Sequence, residues 1–141
     1  GSPVEVMFVD LQLTRLASLA TDLNMFMFNS LEGSVRKPNV DQLLTAYYAS
    51  FSSVLEGCTQ VVPFTKEELV KEYKHKHGFG LLFGCVDVPL QITKDADIPD
   101  MENIDADNWQ KQMLDSMETN PLLKPRFVAM FDEMLEEGLF L

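Results

Sequence analysis

The chain has 141 residues with 11 Lys and Arg against 22 Asp and Glu, a net charge of −11, and 46% of its residues are hydrophobic. That balance gives one ordinary domain with material for a core and excludes disorder over the whole length. The acidity argues against a nucleic acid or an anionic membrane as partner. Two cysteines, Cys58 and Cys85, make neither a disulfide framework nor a CxxC zinc pair, so the expected setting is reducing and cytoplasmic.

No apolar stretch is long enough to span a bilayer, and no signal peptide is visible. The greasiest run, Phe79 to Val86, contains two glycines and suits a buried element. The sequence opens on Gly1 rather than Met, from which a processed, tagged or excised N-terminus is expected. There is no internal repeat and no low-complexity tract.

Pro3 to Asp10 alternates and is rich in β-branched residues, with Val4, Val6 and Phe8 on one face and Glu5, Met7 and Val9 on the other. It reads as one orphan strand, since no other run matches its strand character. A lone strand leaves its backbone groups unpaired, so its partner belongs to another chain or to a segment upstream. Leu19 to Leu31 reads as a helix, apolar nearly all round and therefore buried. Gly33 to Asn39 then breaks the pattern. Asn39 with Gln42 makes a capping-box arrangement for an amphipathic helix through Leu43, Leu44, Tyr47, Phe51 and Val54, closed by Gly57.

Thr65 and Glu68 form a second capping box, opening a helix that ends with Gly78 as its C′ residue. Phe79 to Ile92 favours helix, interrupted near Pro89. Lys94 to Asp107 is an acidic loop, and Asp105 or Asp107 caps a helix holding Trp109, Met113, Leu114 and Met117. Asn120-Pro121 supplies a cap and an N1 proline for a last helix, with a core face of Leu123, Phe127, Val128, Phe131, Met134 and Leu135 and a stop at Gly138. The fold class is mainly α: one orphan β-strand followed by five to six helices.

Few residues carry a chemical signal. Asp10 stands at the end of the strand, where it is either a cap or turn residue or a hard oxygen ligand for Mg²⁺. Asp22 precedes an apolar helix and reads as its N-terminal cap rather than as a catalytic acid. His75 and His77 are two apart, so they face different sides of a helix and, beside Lys74 and Lys76, read as a solvated basic helix end. Cys58 and Cys85 read as buried structural thiols. Trp109 and the methionines read as packing. The acids from Asp95 to Asp107 lack the order of a calcium loop, and Glu133, Glu136 and Glu137 read as the exposed face of the last helix. No dinucleotide, Walker A, nucleophile-elbow or HExxH pattern occurs.

One longer pattern goes further. Val6 to Arg15, with Asp10-Leu11-Gln12, then Leu16 to Leu23 with Asp22, then the aromatic helix Asn24 to Ser30, resembles the ecdysteroid kinase-like family. This group, also termed CHK kinase-like, is related to choline and aminoglycoside kinases. The resemblance continues more loosely through Leu43, Leu44, Tyr47 and Tyr48, the Phe64 to Leu69 opening, Gly78-Phe79-Gly80, and Glu136 with Gly138. It implies that residues 1–141 are a single partial domain, the C-terminal half of a protein-kinase-like C-lobe. Asp10 would hold Mg²⁺ against the phosphates of ATP, as the Asp of the protein-kinase DFG motif does. Gln12 would stand beside that site, and Asp22 would hold the catalytic loop by hydrogen bonds. Leu11, where the family has Phe, would pack inward.

The family's nucleotide loop, its ATP-binding Lys and its His-Gly-Asp catalytic loop are not among the 141 residues. The resemblance therefore implies a C-terminal fragment of an ATP-dependent phosphotransferase acting on a small alcohol such as an ecdysteroid, and itself inactive. No catalytic residue would lie in this chain, and the fragment would self-associate through the orphan strand. The alternatives are a non-catalytic helical binding module and a pseudokinase.

Overall fold

A computed structural model of the chain describes residues 4–7, 9, 11, 14–92 and 105–139. Among them there are six helices: α1 (Leu19–Ser30), α2 (Gly33–Gly57), α3 (Lys66–His75), α4 (His77–Ile92), α5 (Ala106–Thr119) and α6 (Leu123–Glu136). There is no strand among the described residues. Val4, Glu5, Val6, Met7 and Val9, taken above as strand, are irregular and exposed. A strand exists only through ladder bonds to a neighbour, and none of the described residues offers one. Asp10 and Gln12 lie outside the described residues, as do Phe8 and residues 93–104, which include most of the expected acidic loop.

α1 is the central helix because it feeds two cores. Phe28 joins Leu81, Val88, Leu123, Phe127, Met130 and Met134 in a cluster with α4 and α6. Ala20, Leu23 and Met27 join Leu44, Leu69 and Tyr73 in a second cluster with α2 and α3. Burial on both sides is why the sequence of α1 is apolar nearly all round. α4 can lie close to α1 and α6 because it presents glycines at the crossings. A Cβ on Gly80 would stand 2.6 Å from Phe28 Cδ2, and one on Gly84 would stand 2.7 Å from Met130 Sδ. α5 sits at the edge, packing Met113 and Met117 against the first cluster while Leu114 is exposed and Trp109 is half-buried.

The Thr65 capping box is present as expected. The Glu68 amide donates to Thr65 Oγ1 at 3.2 Å and the Thr65 amide donates to Glu68 Oε2 at 2.7 Å. Other boundaries move. α2 begins at Gly33 and runs through Pro38 and Asn39 without a break. Instead of capping, Asn39 donates from Nδ2 to Val35 O at 2.7 Å, bracing the turn where Pro38 supplies no N–H. α3 ends before Gly78. Lys76 is the turn, and His77 already opens α4, which continues through Pro89 to Ile92. Asp105 is the cap of α5. Asn120 accepts the Leu122 amide at 3.0 Å in a turn that leads into α6 two residues later than expected.

The buried face of α6 is Leu123, Phe127, Met130 and Met134, a stripe of four- and three-residue steps. Val128, Phe131 and Leu135, expected in the core, are exposed because α4 and α2 cover the other side. Cys58 also differs from expectation: it stands exposed at the end of α2, whereas Cys85 is half-buried and burial pushes its thiol up.

Candidate functional site

The chain reaches the bundle through the amino-terminal end of α1. The Thr14 amide donates to Leu11 O at 3.0 Å just before the helix. Ser18 is the true N-cap of α1, its Oγ accepting the Ala20 amide at 3.3 Å, because its extended backbone leaves the hydroxyl over the free amides. Ser18 Oγ also donates to Glu72 Oε1 at 3.0 Å, tying the cap to α3. Asp22 is therefore not the cap. It lies in the first turn, exposed, where a carboxylate still complements the positive end of the helix.

An aromatic shelf flanks this end. Tyr47 stacks on Phe51 with centroids 6.0 Å apart, Phe51 meets Phe64 at 5.1 Å, and Tyr48 meets Phe64 at 6.1 Å. The Tyr48 hydroxyl donates to Phe64 O at 3.0 Å, which fixes the α2–α3 connection against α2. Burial raises the Tyr47 hydroxyl above its ordinary value, and the charge of Asp22 adds to the rise, so the phenol stays neutral beside the acid. Carboxylates at a helix N-terminus next to a half-buried aromatic surface can flank an apolar ligand and orient a hydroxyl.

A second polar group of residues lies inside the bundle, and sequence reasoning missed it. Arg36 of α2 is buried against Glu133 of α6, with Nη2 to Oε2 at 2.6 Å and Nε to Oε2 at 3.2 Å. Its Nη1 donates to Leu31 O at 2.9 Å and Met27 O at 3.3 Å, and the guanidinium sits 4.1 Å over the Phe28 ring. Arg36 thus closes the carbonyl end of α1 that no residue of α1 itself caps. Glu133 is buried, not part of an exposed acidic face, because only there does it reach Arg36. Reading Arg36 at a core spacing within a helix begun at Gly33 would have flagged the pair. Asn24, fully buried in α1, donates to Ala20 O at 2.8 Å and Tyr73 O at 2.9 Å, clamping α1 to α3.

His77 also differs from expectation. It is only 6% exposed, set edge-on to Tyr73 at 4.7 Å and to Phe28 at 5.9 Å. The α3–α4 turn at Lys76 swings it inward, while His75 remains exposed. Leu11, expected to pack inward, is 65% exposed.

The described residues contain no group of three or more His, Cys, Asp or Glu side chains that could hold a metal ion. Of Asp10, Gln12 and Asp22, only Asp22 lies among the described residues, and its carboxylate is exposed. No helix among the described residues is long and apolar enough to cross a membrane.

Residues 1–60 match the ecdysteroid kinase-like family. The matched stretch takes in Asp10-Leu11-Gln12, the Ser18 cap, α1 with Asp22, Arg36 and the whole of α2. The looser likeness noted from Phe64 onward lies beyond it. No curated protein and no solved structure matches the chain.

Proposed function

We propose that this chain is the C-terminal part of a kinase-like domain whose whole transfers the γ-phosphoryl group of ATP to the hydroxyl of a small apolar alcohol of the ecdysteroid class. The observation that carries the reading is the match of residues 1–60 to the ecdysteroid kinase-like family, which spans Asp10-Leu11-Gln12 and the helix after it. Asp10 is the carboxylate proposed to hold Mg²⁺ with the nucleotide phosphates, Gln12 stands beside it, and Asp22 secures the neighbouring loop. Bound Mg²⁺ would supply charge neutralisation for the transferred phosphoryl group.

The described residues contain no cluster of three or more His, Cys, Asp or Glu side chains for a metal ion, so no step through magnesium is derived from them. Their own part is apolar and architectural. The Tyr47, Phe51 and Phe64 shelf offers the kind of wall an apolar alcohol requires. Ser18 and Glu72 hold the end of α1 beside that wall. The groups that grip phosphate and take the hydroxyl proton are proposed to come from residues other than these 141, and this stretch alone is proposed not to turn over.

One observation favours a second reading. Leu11 is exposed where the family resemblance implies an inward-packed aromatic residue, which fits a binding module or pseudokinase without a working metal site. Phosphoryl transfer from labelled ATP to a panel of ecdysteroids and simpler alcohols, by the longest natural protein that contains this chain, separates the two. Transfer supports the kinase reading. Alcohol binding without transfer supports the second.

A further inference from the structure

His77 occupies an unusual position for a histidine. It is the first residue of α4, one residue past the end of α3, and it is 94% buried by complement of its 6% exposure. Its Nε2 has no hydrogen-bond partner among the described residues. Two aromatic rings meet the imidazole edge-on, Tyr73 from α3 and Phe28 from α1.

The end of α6 folds over this same joint. Gly138 has a φ of +75°, the left-handed conformation that glycine adopts without strain. That turn lets the Leu139 amide donate to Met134 O at 2.9 Å and the Gly138 amide donate to Leu135 O at 3.1 Å, the paired bonds of a Schellman cap. The cap delivers the Leu139 side chain against Gly78, the neighbour of His77, within 3.8 Å of where a Cβ on Gly78 would stand.

We propose that residues Glu137–Leu139 form a lid over the α3–α4 joint, and that protonation of His77 opens it. The charged groups facing His77 come from three elements. Glu133 of α6 and Glu137 at its C-terminal cap favour its cation, while Lys74 of α3 and Arg36 of α2 oppose it. Glu133 is already committed to Arg36 in a buried ion pair. Tyr73 of α3 and Phe28 of α1 contribute rings without charge, the Tyr73 hydroxyl being held neutral by burial and donating to Met27 Sδ.

Burial outweighs the carboxylates, so the closed joint holds neutral imidazole and depresses its proton affinity. An imidazolium gains more from water than from this site. The least costly path to water is to lift the short C-terminal cap, because the alternative is to separate α1 from α4 along their packed length. Below the ordinary histidine range, each proton taken up shifts the closed–open balance toward open by up to about tenfold per pH unit. The device is independent of any phosphotransfer role.

The test is amide hydrogen exchange and histidine ring titration on the 141-residue chain between about pH 5 and pH 8, which brackets the ordinary histidine value. Exchange is corrected for its intrinsic pH dependence. The Gly138, Leu139 and Gly80 amides should lose protection as His77 titrates, while the Leu44 and Leu69 amides stay protected. His77→Phe should leave the first group protected throughout.

Leu139→Ala gives a second reading that does not depend on the folding of His77→Phe. Thinning the lid should move the His77 titration up toward the ordinary histidine value. An unchanged titration in Leu139→Ala, or loss of protection spread evenly over α2 and α3, overturns the lid.

Discussion

Arg36 and Glu133, 97 positions apart in the chain, meet as a buried ion pair at 2.6 Å, with side-chain exposures of 1% and 7%. The contact joins α2 to α6, and through Leu31 O and Met27 O it also finishes α1. Three helices therefore depend on one guanidinium.

Removing one partner leaves the other charged in the interior. Glu133→Gln should lower the unfolding free energy by about 3–5 kcal/mol, measured by urea denaturation. The double change Arg36→Met with Glu133→Leu should cost less than Glu133→Gln alone, because it leaves no orphan charge. A double variant as unstable as the single one would assign the loss to packing instead.

The acid response of stability should carry the mark of His77. Its folded-state proton affinity is lowered, by burial first, so the folded state binds fewer protons than the unfolded state just below the ordinary histidine value of 6.5. The associated stability is complete above that value and falls as pH drops toward the depressed folded value. The stability difference between wild type and His77→Phe should therefore shift in favour of the variant over that window. A difference independent of pH would contradict the assignment.

The glycines of α4 should resist enlargement to different degrees. Gly80→Ala meets the fixed ring of Phe28 at 2.6 Å. It should destabilise by about 1–3 kcal/mol despite the gain in helix propensity. Gly84→Ala meets the flexible Met130 at 2.7 Å and should cost less. Thermal melts of the two variants rank them.

The capping box of α3 is local and should behave locally. Thr65→Ala should cost about 1 kcal/mol and leave the bundle intact by circular dichroism. A loss several times larger would mean that the α2–α3 connection depends on Thr65 beyond the cap.

What could be read from the sequence follows the range of the interactions. The α3 capping box spans four residues, and Thr65 and Glu68 announce it. The burial of α1 was legible because both its faces are apolar. The start of α2 was not, since Gly33, Pro38 and Asn39 look like breakers one at a time. The packing of α2 on α6, the anchoring of Arg36 and the Asn39 bond to Val35 O carry the helix through them. Glu133 and His77 were misassigned for one reason: each has polar neighbours in sequence, and its burial is decided by partners far along the chain. The main α class and the helix count were legible. Gln12 and the metal role of Asp10 came from the family resemblance and fall outside the described residues.

The central claim is that Asp10 belongs to a phosphotransferase. Its most direct test is Asp10→Ala in the longest natural protein containing this chain, with phosphoryl transfer to an ecdysteroid measured alongside circular dichroism. The account predicts unchanged helicity and loss of turnover by several orders of magnitude. Near-normal turnover in the folded variant would contradict it.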